Sequence, residues 1–205
     1  MVTDNQLLPA AFYRQPVQDV ARNLLGKRLV RLIDGHRVSG WICETEAYDG
    51  ETDRACHARS GKTRRNSVMY GEAGCAYVYF TYGMHWMLNC VCGDEGYPAA
   101  VLIRALIPCE GIDEIARRRE GIARRDWCSG PARLTRALSI GKDCNGISLT
   151  DVSSGLFIED GIIVPDEIVA RTPRIGIQYA GEPWVSLPWR FVVNNAEGFF
   201  SEDVL

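Results

Sequence analysis

Lys27-Arg-Leu-Val-Arg-Leu-Ile-Asp-Gly-His-Arg-Val-Ser-Gly-Trp-Ile-Cys-Glu-Thr-Glu-Ala-Tyr48 reads as two strands around a turn. Apolar and polar positions alternate from Lys27 to Asp34 and from Val38 to Tyr48, the period of a half-buried strand. Asp34-Gly35 is the pair that a tight hairpin prefers. Upstream, Pro16 to Gly26 predicts a short helix with Val17, Val20, Leu24 and Leu25 as its apolar stripe and Gly26 as its stop. Downstream, Cys75–Phe80 and Trp86–Cys92 form a second β pair around Thr81-Tyr-Gly-Met84, and Ala99–Leu106 is an apolar strand interrupted by Arg104. Ile112–Glu120 and Pro131–Ile140 predict helices, the latter with proline in its first turn. Short strands are expected at Leu156–Ile158, Ile162–Val164, Ile175–Gln178 and Arg190–Val193. The pattern predicts one α+β domain over residues 1–205, with a mainly antiparallel sheet and flanking helices.

The chain has 205 residues, 46% of them hydrophobic and 24% charged, which is ordinary for a globular domain and long enough for a sizeable core. No apolar run approaches the roughly 18–20 residues that cross a bilayer. Met1-Val-Thr-Asp4 lacks the basic and apolar regions of a secretion signal, so a soluble cytoplasmic protein is expected. The eight cysteines include no CxxC pair, and are expected to be reduced, buried thiols rather than metal ligands.

The net charge of −3 conceals a gradient: residues 1–136 carry 19 basic and 16 acidic side chains, residues 137–205 carry 4 and 10. Between Asp53 and Glu72 there is no acid, while Arg54, Arg59, Lys62, Arg64 and Arg65 supply five cations. Such a stretch is either a solvated basic loop or a phosphate-binding surface.

Three groups of residues could carry chemistry. Glu44, Glu46 and Tyr48 share one strand face. Paired carboxylates beside an aromatic suit acid–base work if buried, although the same pattern fits a solvent-facing strand. His57, alone in the basic stretch, fits a surface or hydrogen-bonded histidine better than a catalyst. In Tyr77-Val-Tyr-Phe-Thr-Tyr-Gly-Met84, Tyr77 and Tyr79 point to one side of the strand, available for stacking or for ordinary core packing. Tyr82 lies at the turn, where an aromatic gains little packing and invites a base or base step as partner. Asn89 and Arg104 interrupt apolar strands, where an unpaired polar group costs about 1–3 kcal/mol. A glutamate, stacking tyrosines, a tip aromatic and a basic patch together fit an enzyme that flips a nucleotide out of a duplex.

These motifs also carry a resemblance. Glu44-Thr-Glu-Ala-Tyr48, Ala55-Cys-His-Ala-Arg59, Arg65-Asn66, Tyr77–Met84 and Val101-Leu-Ile-Arg-Ala-Leu106 resemble, in order, the alkyladenine (3-methyladenine) DNA glycosylase family of the vertebrate methylpurine-DNA glycosylase type, as a bacterial member. Cys128-Ser-Gly-Pro131, Ala137-Leu-Ser-Ile140, Arg174-Ile-Gly-Ile177, Ala180-Gly-Glu182 and Pro188-Trp-Arg-Phe191 extend the likeness over nearly the whole chain. The resemblance implies a compact curved-sheet domain with an intercalating β-hairpin and neither metal nor organic cofactor. It implies a monomer that acts on double-stranded DNA containing a damaged purine, at the nucleoid, and leaves an abasic site. By position, Glu46 stands as the general base. Tyr48 and His57 stand as one wall of the base pocket, Tyr79 as the opposite wall, and Tyr77 as a lining or structural residue. Asn89 abuts the purine edge and disfavours guanine through its 2-amino group. Tyr82 stands as the wedge, with Gly83 and Met84 at the tip. Arg104 lies near the extruded backbone, Arg65-Asn66 in the pocket support and DNA surface, and Lys62 and Arg64 on that surface. Gly93 to Pro98 reads as longer than in vertebrate members, and the acidic C-terminal third is unusual for a DNA binder.

Two other readings of the same residues stand beside this one. A carbohydrate-active enzyme would use Glu44 and Glu46 as its carboxylate pair, but it gives no role to Tyr82 or to the basic stretch. A non-catalytic reader of damaged nucleic acid would tolerate loss of Glu46.

Overall fold

The computed structural model describes residues 7–201; the Met1–Asp4 stretch read above for a leader lies outside them. The opening hairpin forms as read: β1 (Arg28–Ile33) pairs antiparallel with β2 (His36–Asp49), and both turn residues have positive φ, Asp34 at 52° and Gly35 at 77°. β2 is the spine of the molecule. One edge pairs along its length with β5 (Ala99–Glu110), while the other pairs first with β1 and then with β8 (Arg190–Val193). β3 (Ala76–Thr81) and β4 (His85–Cys92) form the second hairpin, and β4 joins β5. With β6 (Leu156–Glu159) on β1, the strand order is β3-β4-β5-β2-β1-β6, and β7 (Val169–Thr172) pairs with β8. The result is a single α+β domain on an open antiparallel sheet of eight strands.

Register shifts in β2 around Cys43 and Glu44 mark a bulge against β5. The bulge lets Ile42 and Cys43 both enter the main core before alternation resumes. After it, Thr45 and Ala47 face that core, and the Thr45 hydroxyl donates to the Ala21 carbonyl at 2.7 Å. Ala21 belongs to α2 (Val17–Asn23), which follows the short α1 (Ala10–Tyr13) and buries Val17 and Val20. Glu44, Glu46 and Tyr48 are thereby left on the opposite face. α3 (Ile112–Arg118) and α4 (Pro131–Ala137) are each shorter than read, and α5 (Ala196–Phe199) closes the described chain.

Two expected strands are not formed. Ile162–Val164 cannot return as a strand because the backbone turns tightly against Gly26: Ile162 N–H donates to the Gly26 carbonyl at 3.1 Å, and a Cβ on Gly161 would run into that carbonyl. Ile175–Gln178 is instead a bend and a 3₁₀ turn, with its first N–H given to a side chain of the site. β7 was not foreseen, and β5 runs on to Glu110. The cysteines are eight free thiols, six of them buried.

Acids of the C-terminal third are matched in space with bases of the N-terminal part. Glu159 pairs with Arg28 and Arg37, Asp160 with Lys27, and Asp166 with Arg22. These acids cluster around the β1–β6 edge, at the opposite end of the sheet from the β3–β4 hairpin.

Candidate active site

Between the β3–β4 hairpin, β2, β5 and the loops 55–65 and 175–179 lies a pocket of about 360 Å³, within the range of small-ligand sites. Eight of the residues singled out in the sequence line it: Tyr48, His57, Arg65 and Tyr77, with Tyr79, Tyr82, Asn89 and Arg104.

Glu46 lies beneath this lining and is 0% exposed, which excludes the solvent-facing alternative. Its Oε1 accepts from Ile175 N–H at 2.7 Å, and its Oε2 from the Tyr48 hydroxyl at 2.8 Å. Arg104 Nη1 stands 3.2 Å from the same Oε2. A carboxylate offers about four acceptor directions. Three are taken by fixed donors, which leaves one for a reacting molecule. Tyr48 keeps its proton: burial, then the Glu46 charge and hydrogen bond, raise its pKa well above the ordinary range.

Glu44 has a different environment. Its Oε1 is shared by Arg104 Nε and Arg190 Nε, each at 2.7 Å. Glu44 is thus bound into a sheet-crossing ion-pair chain instead of standing as the free partner that a two-carboxylate hydrolase needs. Arg104, placed by resemblance near an extruded backbone, spends its guanidinium inside the pocket on these two carboxylates.

The aromatic wall is built from β3 and the 55–59 loop. The Tyr77 and Tyr79 rings lie 5.4 Å apart at 33°. His57 accepts from or donates to the Tyr77 hydroxyl through Nδ1 at 3.0 Å, and packs edge-on against Tyr79 at 4.4 Å. The imidazole therefore sits with Tyr79 and does not stand across the pocket from it. Its outer edge is exposed, yet its pKa is pushed down to about 4, first by loss of solvent around the ring, then by Arg65 and Arg59. Arg65 lies 5.5 Å over the Tyr79 ring and donates to the Phe80 carbonyl. Asn89, opposite Tyr77 in the strand register, donates through Nδ2 to the Tyr77 carbonyl at 3.0 Å, so its amide is held at the pocket wall.

Tyr82 is 84% exposed with φ 52°, and Gly83 follows at 69°. Met84 N–H closes the turn onto the Thr81 carbonyl. Two successive positive φ values make the tight hairpin turn whose twist matches the strands. Glycine is at ease there, whereas a bulky tyrosine in this region is an outlier that the surrounding structure holds at a cost. Met84 beside it is 67% exposed.

Not every residue expected on the DNA surface lies there. Asn66 is buried, and its Nδ2 donates to the His57 and Gly61 carbonyls while its Oδ1 accepts from Thr63 N–H and hydroxyl. With its polar atoms consumed, it staples the loop that carries His57 and has nothing to offer a phosphate. Lys62 leans over the Tyr70 ring at 5.3 Å, and Arg64 is exposed.

Sequence reasoning missed the support beneath the site. Arg174 and Asp53 form a fully buried ion pair, with Arg174 Nη2 2.9 Å from Asp53 Oδ1. Arg174 Nη1 also donates to the Ala47 carbonyl, and the guanidinium packs on the Tyr48 and Trp189 rings at 4.7 and 5.0 Å. Asp53 in turn accepts from Ala55 N–H and Asp49 N–H. This clasp ties the 174–177 segment to β2 and so fixes the Ile175 N–H that holds Glu46. The partners are 121 residues apart, and nothing local announces the pairing.

The methylpurine-DNA glycosylase family model matches residues 11–197. A protein of Methanocella arvoryzae named "Putative 3-methyladenine DNA glycosylase" is 50% identical over 192 residues, 93% of this chain and 94% of its own length. Proteins with the same name from Carboxydothermus hydrogenoformans (50% identical; 92% of this chain, 96% of the relative) and Chlorobaculum parvum (46%; 89% and 85%) match over a similar span. Matched over about nine-tenths of its length by that family and its relatives, the chain belongs to the methylpurine-DNA glycosylase family and is a DNA N-glycosylase.

Proposed function

We propose that this glycosylase flips an alkylated or deaminated purine out of double-stranded DNA and hydrolyses its N-glycosidic bond. The substrates are 3-methyladenine, 7-methylguanine, hypoxanthine and ethenoadenine, and the product is an unbroken strand with an abasic site. The whole chain acts as one domain and as a monomer, in the cytoplasm at the nucleoid. The observation that carries this reading is Glu46, wholly buried behind an aromatic pocket beside an exposed hairpin tyrosine, with three donors on its two oxygens.

As the bond between C1′ and the purine nitrogen breaks, its electron pair leaves with the base and the sugar becomes oxocarbenium-like. The Glu46 carboxylate stabilises that charge and takes a proton from the water whose oxygen bonds to C1′. 3-Methyladenine and 7-methylguanine are cationic while still bonded to the sugar and leave as neutral bases, and stacking on tyrosine favours their electron-poor rings by about 0.5–2 kcal/mol. Hypoxanthine and ethenoadenine have no such charge and must gain a proton as they leave. Strand cleavage by a lyase would need an amine to attack the sugar, and no lysine lines the pocket among the described residues.

The test is release from duplexes carrying each lesion, scored as abasic sites, for the wild type, Glu46→Gln and Glu44→Gln. Glu46→Gln is expected to bind the lesion and release nothing, because the amide keeps the shape and cannot accept the proton. Near-normal release by Glu46→Gln with Glu44→Gln inactive would move the base to Glu44. Borohydride trapping of a covalent adduct would overturn the monofunctional assignment.

A further inference from the structure

Tyr82 lines the purine pocket, but Met84 and His85 line a different groove of about 620 Å³ on the hairpin's other side. Arg119, Arg133 and Arg136 also line this groove. Arg133 and Arg136 lie one helical turn apart on α4, and Arg119 directly follows α3. The three cations are unequally neutralised. Arg133 pairs with Asp126 at 2.6 Å, and Asp143, the acid of the groove, pairs with Arg31 at 3.0 Å. Arg136 has no ion pair among the described residues.

Arg119 is the group that calls for a ligand. It is only 9% exposed, and its Nε is buried with no hydrogen-bond partner among the described residues. No described carboxylate is paired with it. An arginine residue nine-tenths buried, with an unused Nε donor and two like charges lining the same groove, is unfavourable by itself. An anion with several acceptor oxygens would satisfy it, and the planar fork of arginine suits phosphate. The hairpin indicates the source of that phosphate. Its tip separates the two cavities by only two residues, from Tyr82 to Met84, so a duplex entered by the tip carries its backbone over both.

We infer that the Arg119–Arg133–Arg136 groove seats a backbone phosphate of the DNA flanking the lesion, a grip separate from the purine pocket and from the 59–65 loop. This rests on the glycosylase reading, because it needs the wedge to enter a duplex. The experiment uses the full chain and a duplex with one hypoxanthine. Arg136→Gln and Arg119→Lys, singly and together, are compared with the wild type for salt-dependent affinity, and single neutral methylphosphonate linkages are then placed along both strands. The slope of log K against log salt should fall by about 0.9 for each phosphate that the variant no longer grips. One linkage whose neutralisation weakens the wild type should cost Arg136→Gln nothing more. Single-turnover release at saturating protein should be unchanged.

An unchanged slope, or linkage losses that add in full to those of the variant, would overturn the assignment. Arg136 is exposed on its helix, so its variant decides the matter even if Arg119→Lys fails to fold. Thermal stabilisation of the wild type by inorganic phosphate without DNA, abolished in Arg136→Gln while the DNA slope stays unchanged, would make the groove a free-anion site and overturn the DNA assignment. A wild type that binds the duplex without releasing hypoxanthine would sink the glycosylase reading for that lesion, while the methylphosphonate map still decides the groove.

Discussion

Asn89 shows how much a single side chain can decide. Its Nδ2 is committed to the Tyr77 carbonyl across the β3–β4 ladder, so the amide cannot swing away from a bound purine edge. Asn89→Ser removes that bulk while leaving Glu46 and its donors in place. Release of guanine relative to hypoxanthine should rise about ten- to two-hundredfold, the roughly 1–3 kcal/mol that one steric or unpaired contact supplies. Paired release assays in identical duplexes measure this, and an unmoved ratio in a folded, active variant would make Asn89 a purely structural residue. His57 is expected to act through its charge state. Its pKa lies below the ordinary value of 6.5, so at neutral pH the imidazole is uncharged and does not repel a cationic base. Between about 6.5 and its folded value an unfolded chain binds the proton and the folded one does not, so this residue's contribution to stability is present above that window and lost as pH falls through it. Release of 7-methylguanine should therefore show an acid limb that His57→Gln removes. An identical limb in the variant would assign it elsewhere. At this scale the sequence was informative where a polar residue broke an apolar strand, as with Asn89 and Arg104. It was silent on Arg174 and Asp53, whose meaning exists only in their pairing across the fold.

At the scale of elements, the two hairpins were legible because each depends on local alternation and local turn residues. Ile162–Val164 and Ile175–Gln178 were misread for the converse reason. Their apolar runs suit a strand, but close contact with Gly26 in one case and the Glu46 carboxylate in the other claim the N–H groups that a ladder would need. The β3–β4 hairpin is the element whose role extends furthest beyond packing. Tyr82→Ser should leave the thermal transition intact, since the ring is 84% exposed, and should weaken binding to a lesion duplex by removing the group that offsets unstacking of about a few kcal/mol per step. Titration of hypoxanthine duplexes checks this, and unchanged affinity would reduce Tyr82 to a turn residue.

For the whole molecule, the arrangement of charge outweighs its total. The acidic C-terminal third, unpromising for a DNA binder when read linearly, has Asp143, Glu159, Asp160 and Asp166 held in ion pairs, such as Glu159 with Arg28 and Arg37 at the far edge of the sheet. The basic loop is left to face the hairpin side. Replacing Arg59, Lys62, Arg64 and Arg65 together by alanine should flatten the log K against log salt slope by about 0.9 for each phosphate set free, and an unaltered slope would place the DNA elsewhere. The same separation of charge governs how the protein meets any extended charged matrix. With a net charge of −3 and a sequence pI near 5.7, it behaves on average as an anion at neutral pH. Yet a resin bead, like a duplex, samples one face at a time, so a cation-exchange medium should retain this net anion from a low-salt buffer, gripping it by the basic loop alone.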